Sequence, residues 1–142
     1  MSTADRFAAA VDAADLDALA ELFTEDVRLN SPVTSKPFEG REAVLALFRV
    51  LLRTFEDFRY VGRLAGEVGA AIDAGETDRD PAAVLVFRTA VGGRPVHGID
   101  LLHLTDDGRI GEITVMLRPQ RAVVAVGEAV LAGLTADGHV TT

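Results

Sequence analysis

The chain has 142 residues, a formal net charge of −8, 49% apolar residues, no cysteine and a single lysine, Lys36. This composition suits one folded domain over 1–142 and excludes a disulfide scaffold, a thiolate nucleophile and a cysteine-held metal. Without clustered Lys and Arg there is no nucleic-acid partner to expect. No apolar run nears the ~20 residues of a membrane helix, and "MSTADRF" lacks a secretory pattern, so the expected location is the cytoplasm.

Residues 3–14 are alanine-rich, with Phe7 and Val11 four apart, and predict a helix. Asp15 suits the N-cap of a second piece, "LDALAELF", in which Leu16, Leu19, Leu22 and Phe23 share a face. "TEDVRLNSP" predicts a short strand that Pro32 stops, and "VTSKPFEG" a loop. Gly40 opens the clearest helix, expected over 41–56. Val44, Leu47, Phe48, Leu51, Leu52 and Phe55 form its wide apolar stripe, and Glu42 sits in the first turn, where the helix dipole favours an acid.

The period then changes. "FRYVGRLAGE" reads as a strand, "GAAIDAGETDRDP" as a polar loop and "AAVLVFRTAV" as a strand. "GGRP" turns into "VHGIDLLHL", and "TDDG" turns into "RIGEITVMLR". The two turns predict an antiparallel meander of three strands. Pro119 suits the start of a last helix carrying Val123, Val126, Val130, Leu131 and Leu134, and 136–142 reads as a frayed tail. Helices segregated from a run of strands indicate an α+β fold. One long helix across a strongly curved antiparallel sheet leaves a cone, and a cone can hold a ligand.

"HGIDLLHL" places an acid, Asp100, inside an apolar strand. Alternation puts Gly98, Asp100, Leu102 and Leu104 on one face and His97, Ile99, Leu101 and His103 on the other. Both faces are apolar, so periodicity leaves open which one is inward. A carboxyl among Leu and Val resists ionisation, so its pKa rises and it remains a donor near neutral pH. The competing reading is a structural acid bonded to a neighbouring strand or a helix end.

Two stretches, "LAELFTEDVRLNSPV…PFEGREAVLALFRVLL…DFRY" and "HGIDLLHLTDDGRIGEITVMLRP", resemble the two halves of a SnoaL-like domain. That family lies in the nuclear transport factor 2-like superfamily, with polyketide cyclases, ketosteroid isomerases and limonene-epoxide hydrolases. The resemblance covers roughly residues 3–120. It implies a cone-shaped α+β barrel with a deep apolar pocket, commonly paired as a homodimer through the open sheet face. It also implies that Asp100 faces the pocket, answering to the acid that donates a proton or hydrogen bond to an oxygen becoming an enolate.

The relatives' other catalytic groups are incomplete here. Ser31 stands where the isomerases have a base, and no tyrosine partner for the acid is evident, Tyr60 being the only tyrosine. Gly98 stands where the hydrolases have an arginine, and "EITVML" lacks their second aspartate; Asn30 matches their water-positioning amide. For the cyclases, His97 neighbours the acid in sequence but alternates to the opposite face.

Asp100 is therefore the expected catalytic residue. Asn30, Phe48, Leu52, Phe55, Arg88, Leu102, Thr114 and Met116 are the expected substrate-binding residues, with Phe7 and Phe23 flooring the cone. Arg88 has a second reading, a cross-strand pair with Glu112. Arg118 would close the cone's mouth or cap a carbonyl. His97 and His103 share a face, but a metal there lacks a third ligand, and a dimer face accounts for them better. No Walker loop, GxGxxG, nucleophile elbow or HExxH occurs, and no cofactor or metal is expected.

Two functional readings follow. One is an isomerase, cyclase or epoxide hydrolase acting through Asp100 on a small apolar oxygenated molecule. The other is a non-catalytic ligand-binding or dimerisation module. The expected partners are that small molecule and a second copy, joined through Ile99, Leu101, His103 and one face of 109–118.

Overall fold

Ser2 caps the first helix, α1 (Thr3–Asp12). Its hydroxyl accepts from the Asp5 N–H at 3.1 Å, and Asp5 Oδ2 accepts from the Ser2 N–H at 3.0 Å, satisfying two otherwise orphaned donors at once. Asp15 caps α2 (Leu16–Leu22) by accepting from the Ala18 N–H at 3.0 Å, as its position in the sequence predicts. The computed structural model describes residues 1–69 and 79–139. After α2 come β1 (Phe23–Asn30), β2 (Phe38–Glu39) and α3 (Arg41–Thr54), then β3 (Glu56–Gly69), β4 (Arg79–Val91), β5 (Arg94–Leu104), β6 (Ile110–Arg118) and α4 (Gln120–Ala136).

The strands form one curved sheet in the order β2-β1-β6-β5-β4-β3. The meander β4-β5-β6 is antiparallel, as is every other pair except one. β1 runs parallel to β6, with Leu29 beside Ile113 and Asn30 beside Thr114. The sheet is therefore mixed rather than wholly antiparallel. Nothing local to β1 sets that direction; the path through α3 and four strands does. The β4–β5 turn uses Gly92 and Gly93 at φ +56° and +77°, the left-handed pair that a tight hairpin favours.

α3 lies across the concave face and buries Val44, Leu47, Phe48 and Val50. Phe7, Leu19, Phe23, Val27, Leu85, Leu102, Ile110 and Ile113 are fully buried and form the core with it. The helix ends at Thr54, ahead of the expected 56, because Phe55 turns extended to join the aromatic side chains of β3 and β4. α4 packs on the same side as α3, with Gly133 against Val50: a Cβ there would stand 2.5 Å from Val50 Cγ1. Among the described residues no helix covers the outer face of β4–β6.

The expected frayed tail is ordered as far as His139. Gly138 takes φ +84°, its N–H donates to Thr135 O at 3.0 Å, and the His139 N–H donates to Leu134 O at 2.8 Å. This pairing satisfies the last carbonyls of α4, and "DG" after the helix is its signature. Residues 140–142 lie outside the described residues. So do 70–78 of the expected loop, whose flanks at Gly69 and 79–81 belong to β3 and β4.

Candidate active site

A cavity of about 190 Å³ opens between the concave sheet face, α3 and α4. A lone water needs roughly 10–15 Å³, so the space suits a small organic molecule. α3 contributes Leu47, Phe48, Leu51 and Leu52, α4 contributes Val126 and Val130, and the sheet contributes Phe58, Tyr60, Phe87, Val115 and Leu117. Exposed Asp12 and Ala14 mark the mouth, beside Ser31, Pro32 and Val33. Among the described residues, Asp100 and Asp12 are the only charged ones in the lining.

Asp100 is 7% exposed and sits in β5 between its register partners, Leu85 on β4 and Val115 on β6. Its Oδ2 accepts a hydrogen bond from the Tyr60 hydroxyl at 2.7 Å. Among the described residues no donor reaches Oδ1. Burial pushes the Asp100 carboxyl up to about 7, against the Tyr60 bond, which pulls it down. Tyr60 is pushed well above its usual value, first by burial, then by the charge of Asp100 and the bond to it. The phenol thus stays a neutral donor, while the carboxyl populates both forms near neutral pH.

The Tyr60 ring is fixed by packing. It meets Phe58 edge-on at 5.0 Å and Phe87 edge-on at 6.2 Å, with Phe7 at 6.5 Å. Such geometries hold aromatic rings in place. Phe58 in turn lies 4.9 Å from Phe87 and stacks on Phe55 at 5.7 Å. The aromatic cluster leaves the hydroxyl one polar target, Asp100.

The expected site residues separate by sheet face. Asp100, Phe48, Leu52 and Phe55 line the cavity. Leu102 shares the inner face but is fully buried in the core, as are Phe7 and Phe23. Asn30, Thr114, Met116 and Arg88 alternate to the outer face, because Leu29, Val115, Leu117 and Phe87 take the inward positions beside them. These four are corrected from cavity to outer face. Asn30 Nδ2 donates there to Thr114 Oγ1 at 3.0 Å and Glu112 Oε2 at 3.2 Å. Arg88 does not pair with Glu112 either; its register neighbours are Arg59 and His97. Arg118 lies with His97, Ile99 and Met116 on that outer face, away from the mouth. Among the described residues no cluster of His, Asp and Glu could hold a metal.

Tyr60 is the residue that sequence reasoning missed. Phe58 and Tyr60 alternate around Arg59, which marks both rings as inward. The partner lies 40 positions away, and the register of β3 shifts between Glu56 and Arg59 and again between Tyr60 and Gly62, which no local pattern reveals. Packing at Gly98 leaves no room for an arginine two residues before the acid. A Cβ there would lie 2.5 Å from Phe87 Cζ, 2.7 Å from Leu117 Cδ2 and 2.8 Å from Met116 O.

A curved sheet closed by helices over an apolar, acid-bearing cone defines a nuclear transport factor 2-like protein. More narrowly, the SnoaL-like domain matches residues 4–113, and the chain belongs to that family. Among solved structures it is similar to a steroid delta-isomerase from Pseudomonas aeruginosa, at 32% identity and TM-score 0.81 over 95% of this chain and 90% of that one. It is also similar to an uncharacterized protein with a cystatin-like fold from Silicibacter pomeroyi DSS-3, at 28% identity and TM-score 0.81 over 96% and 87%. A SnoaL-like protein of unknown function from Burkholderia thailandensis shares the fold, at 21% identity and TM-score 0.58 over 82% and 92%. No curated protein matches the sequence.

Proposed function

We propose that the cone binds a small, mostly apolar ketone and that Asp100 moves a proton on it, in an isomerase-type reaction. The observation that carries this reading is the buried Asp100–Tyr60 pair at an apolar cavity, with Oδ2 held by the phenol and Oδ1 without a donor among the described residues. A carboxyl pushed up to about 7 is matched to proton transfer at neutral pH. In its ionised form Asp100 takes a proton from carbon beside the carbonyl, leaving an enolate. The same carboxyl, now neutral, returns the proton to another carbon of the conjugated system. Nothing is gained or lost, so the product is an isomer. The 32% identity to a protein named as a steroid delta-isomerase supports the class.

Deuterium incorporation from D2O into unconjugated cyclic ketones tests it. The protein should accelerate exchange at the carbon beside the carbonyl, and Asp100→Asn should abolish this while leaving ligand affinity within a few-fold. Binding with no exchange in the unaltered protein would replace the enzyme by a carrier. We further propose that the protein works as a homodimer joined through the outer face of β4–β6, where Met116, itself 52% exposed, lies beside Ile99, and Leu101, Val84 and Val86 extend the apolar patch across β5 and β4.

A further inference from the structure

Two separate rows of charged side chains cross the outer face of the sheet. Arg59 pairs in register with Arg88, Arg88 with His97, and His97 with Arg118. Three exposed arginines and a histidine thus run side by side across four strands. None of the three arginines forms an ion pair among the described residues. Arg59 and Arg88 stand directly opposite one another, and like charges so placed in a sheet repel.

The second row lies six residues along β5 and β6. There Glu112 pairs in register with His103, and it is the only outward acid on those two strands. His103 is 8% exposed and neither ring nitrogen makes a hydrogen bond; its Nε2 stands 3.5 Å from Glu112 Oε2. Arg28 flanks Glu112 from β1 without pairing to it. Between the two rows lie the apolar side chains of Ile99, Leu101, Met116, Val84 and Val86.

We propose that a second copy of the chain covers this face about a two-fold axis that runs across the strands over the Asp100–Val115 register pair, so that each Arg118 meets the partner's Glu112. This rests on the homodimer reading above and fixes its geometry. A two-fold axis between facing sheets can run along the strands or across them. Along the strands, it lays each row on its own copy and drives Arg88 and Arg118 against themselves. Across the strands, it reverses their direction. Arg118 then lies over the partner's Glu112, His97 over the partner's His103, and Ile99 over the partner's Leu101. Apolar residues hold the centre and charges the rim, the usual anatomy of an interface. Arg118 stands three residues from the axis, about 10 Å. An intersheet rotation of about 30° shifts it sideways by about one strand spacing, within an arginine's reach.

Sedimentation equilibrium at low salt tests this with Arg118→Glu, Glu112→Arg, Arg118→Ala and the exchanged pair, each checked for folding by circular dichroism. The unaltered protein should be a dimer. Either reversal should raise the dimer Kd about a hundredfold, Arg118→Ala about tenfold, and the exchange should restore it to within a few-fold. A monomeric unaltered protein would overturn the dimer and this geometry together. A dimer that Arg118→Glu leaves unmoved or tightens would keep the dimer and overturn the axis, since an axis along the strands gains from losing Arg118. Failure of the exchange to restore affinity would overturn the pairing.

Discussion

Asp100 holds its proton to about pH 7 in the folded chain, chiefly because burial strips its hydration, whereas an unfolded aspartate releases it near 4. Between those values the folded state binds more protons than the unfolded one, so stability falls as pH rises. The contribution is fully present below the unfolded pKa and is lost by about pH 7, a change of about 4 kcal/mol for a shift of this size. Asp100→Asn removes the titration and keeps an acceptor for Tyr60. Urea denaturation should therefore show a variant more stable than the parent at pH 8 and nearly equal to it at pH 4. A variant that unfolds at both would make Asp100 a structural strut. Tyr60 acts in the opposite direction, since its bond favours the ionised carboxyl. Tyr60→Phe should move the Asp100 midpoint upward, read by carbon-13 NMR of the carboxyl, and a midpoint that stays or falls would deny the bond its place in tuning the acid.

At the scale of the elements, β5 and α3 do the most to shape the cone. Gly98 lets Phe87 and Leu117 close over β5, so Gly98→Ala should cost about 1–3 kcal/mol, as overpacking does. Phe48 is 6% exposed, packs at 6.0 Å from Phe7 and 5.7 Å from Phe23, and also lines the cavity. Phe48→Ala should cost about 3 kcal/mol or more in denaturant midpoints and weaken ligand binding as well. A loss below about 1 kcal/mol would mean that the ring only lines open space.

The apolar stripe of α3, both tight turns and the Asp15 cap were legible in the sequence because local rules govern them. The parallel β1–β6 pair and the Tyr60–Asp100 bond were not, since each joins residues far apart in the chain. Asn30 and Thr114 show the same limit from the other side. Their residue types suit a site, and only their register with each other and with Leu101 shows that they face outward. Asp100 was found because an acid in an apolar strand stands out in any register.

For the molecule as a whole, charge narrows what the cone can take. The chain carries −8, and among the described residues the lining has two carboxyls, Asp12 at the mouth and Asp100 within, with no Lys, Arg or His. An anionic ligand would approach against the field of the whole protein and lose its hydration with no cation to replace it. A neutral ketone meets neither obstacle. Tyr60 supplies the measurement, being the only tyrosine in a chain without tryptophan and lying in the cavity wall. Its fluorescence should respond to a neutral cyclic ketone at least tenfold more tightly than to the same ring bearing a carboxylate. Asp12→Asn should narrow that gap, and added salt should narrow it too, because screening weakens the exposed mouth charge first. Equal affinities in low salt would show that the mouth does not read charge, and a preference for the carboxylate would place a cation at the site that the lining does not contain.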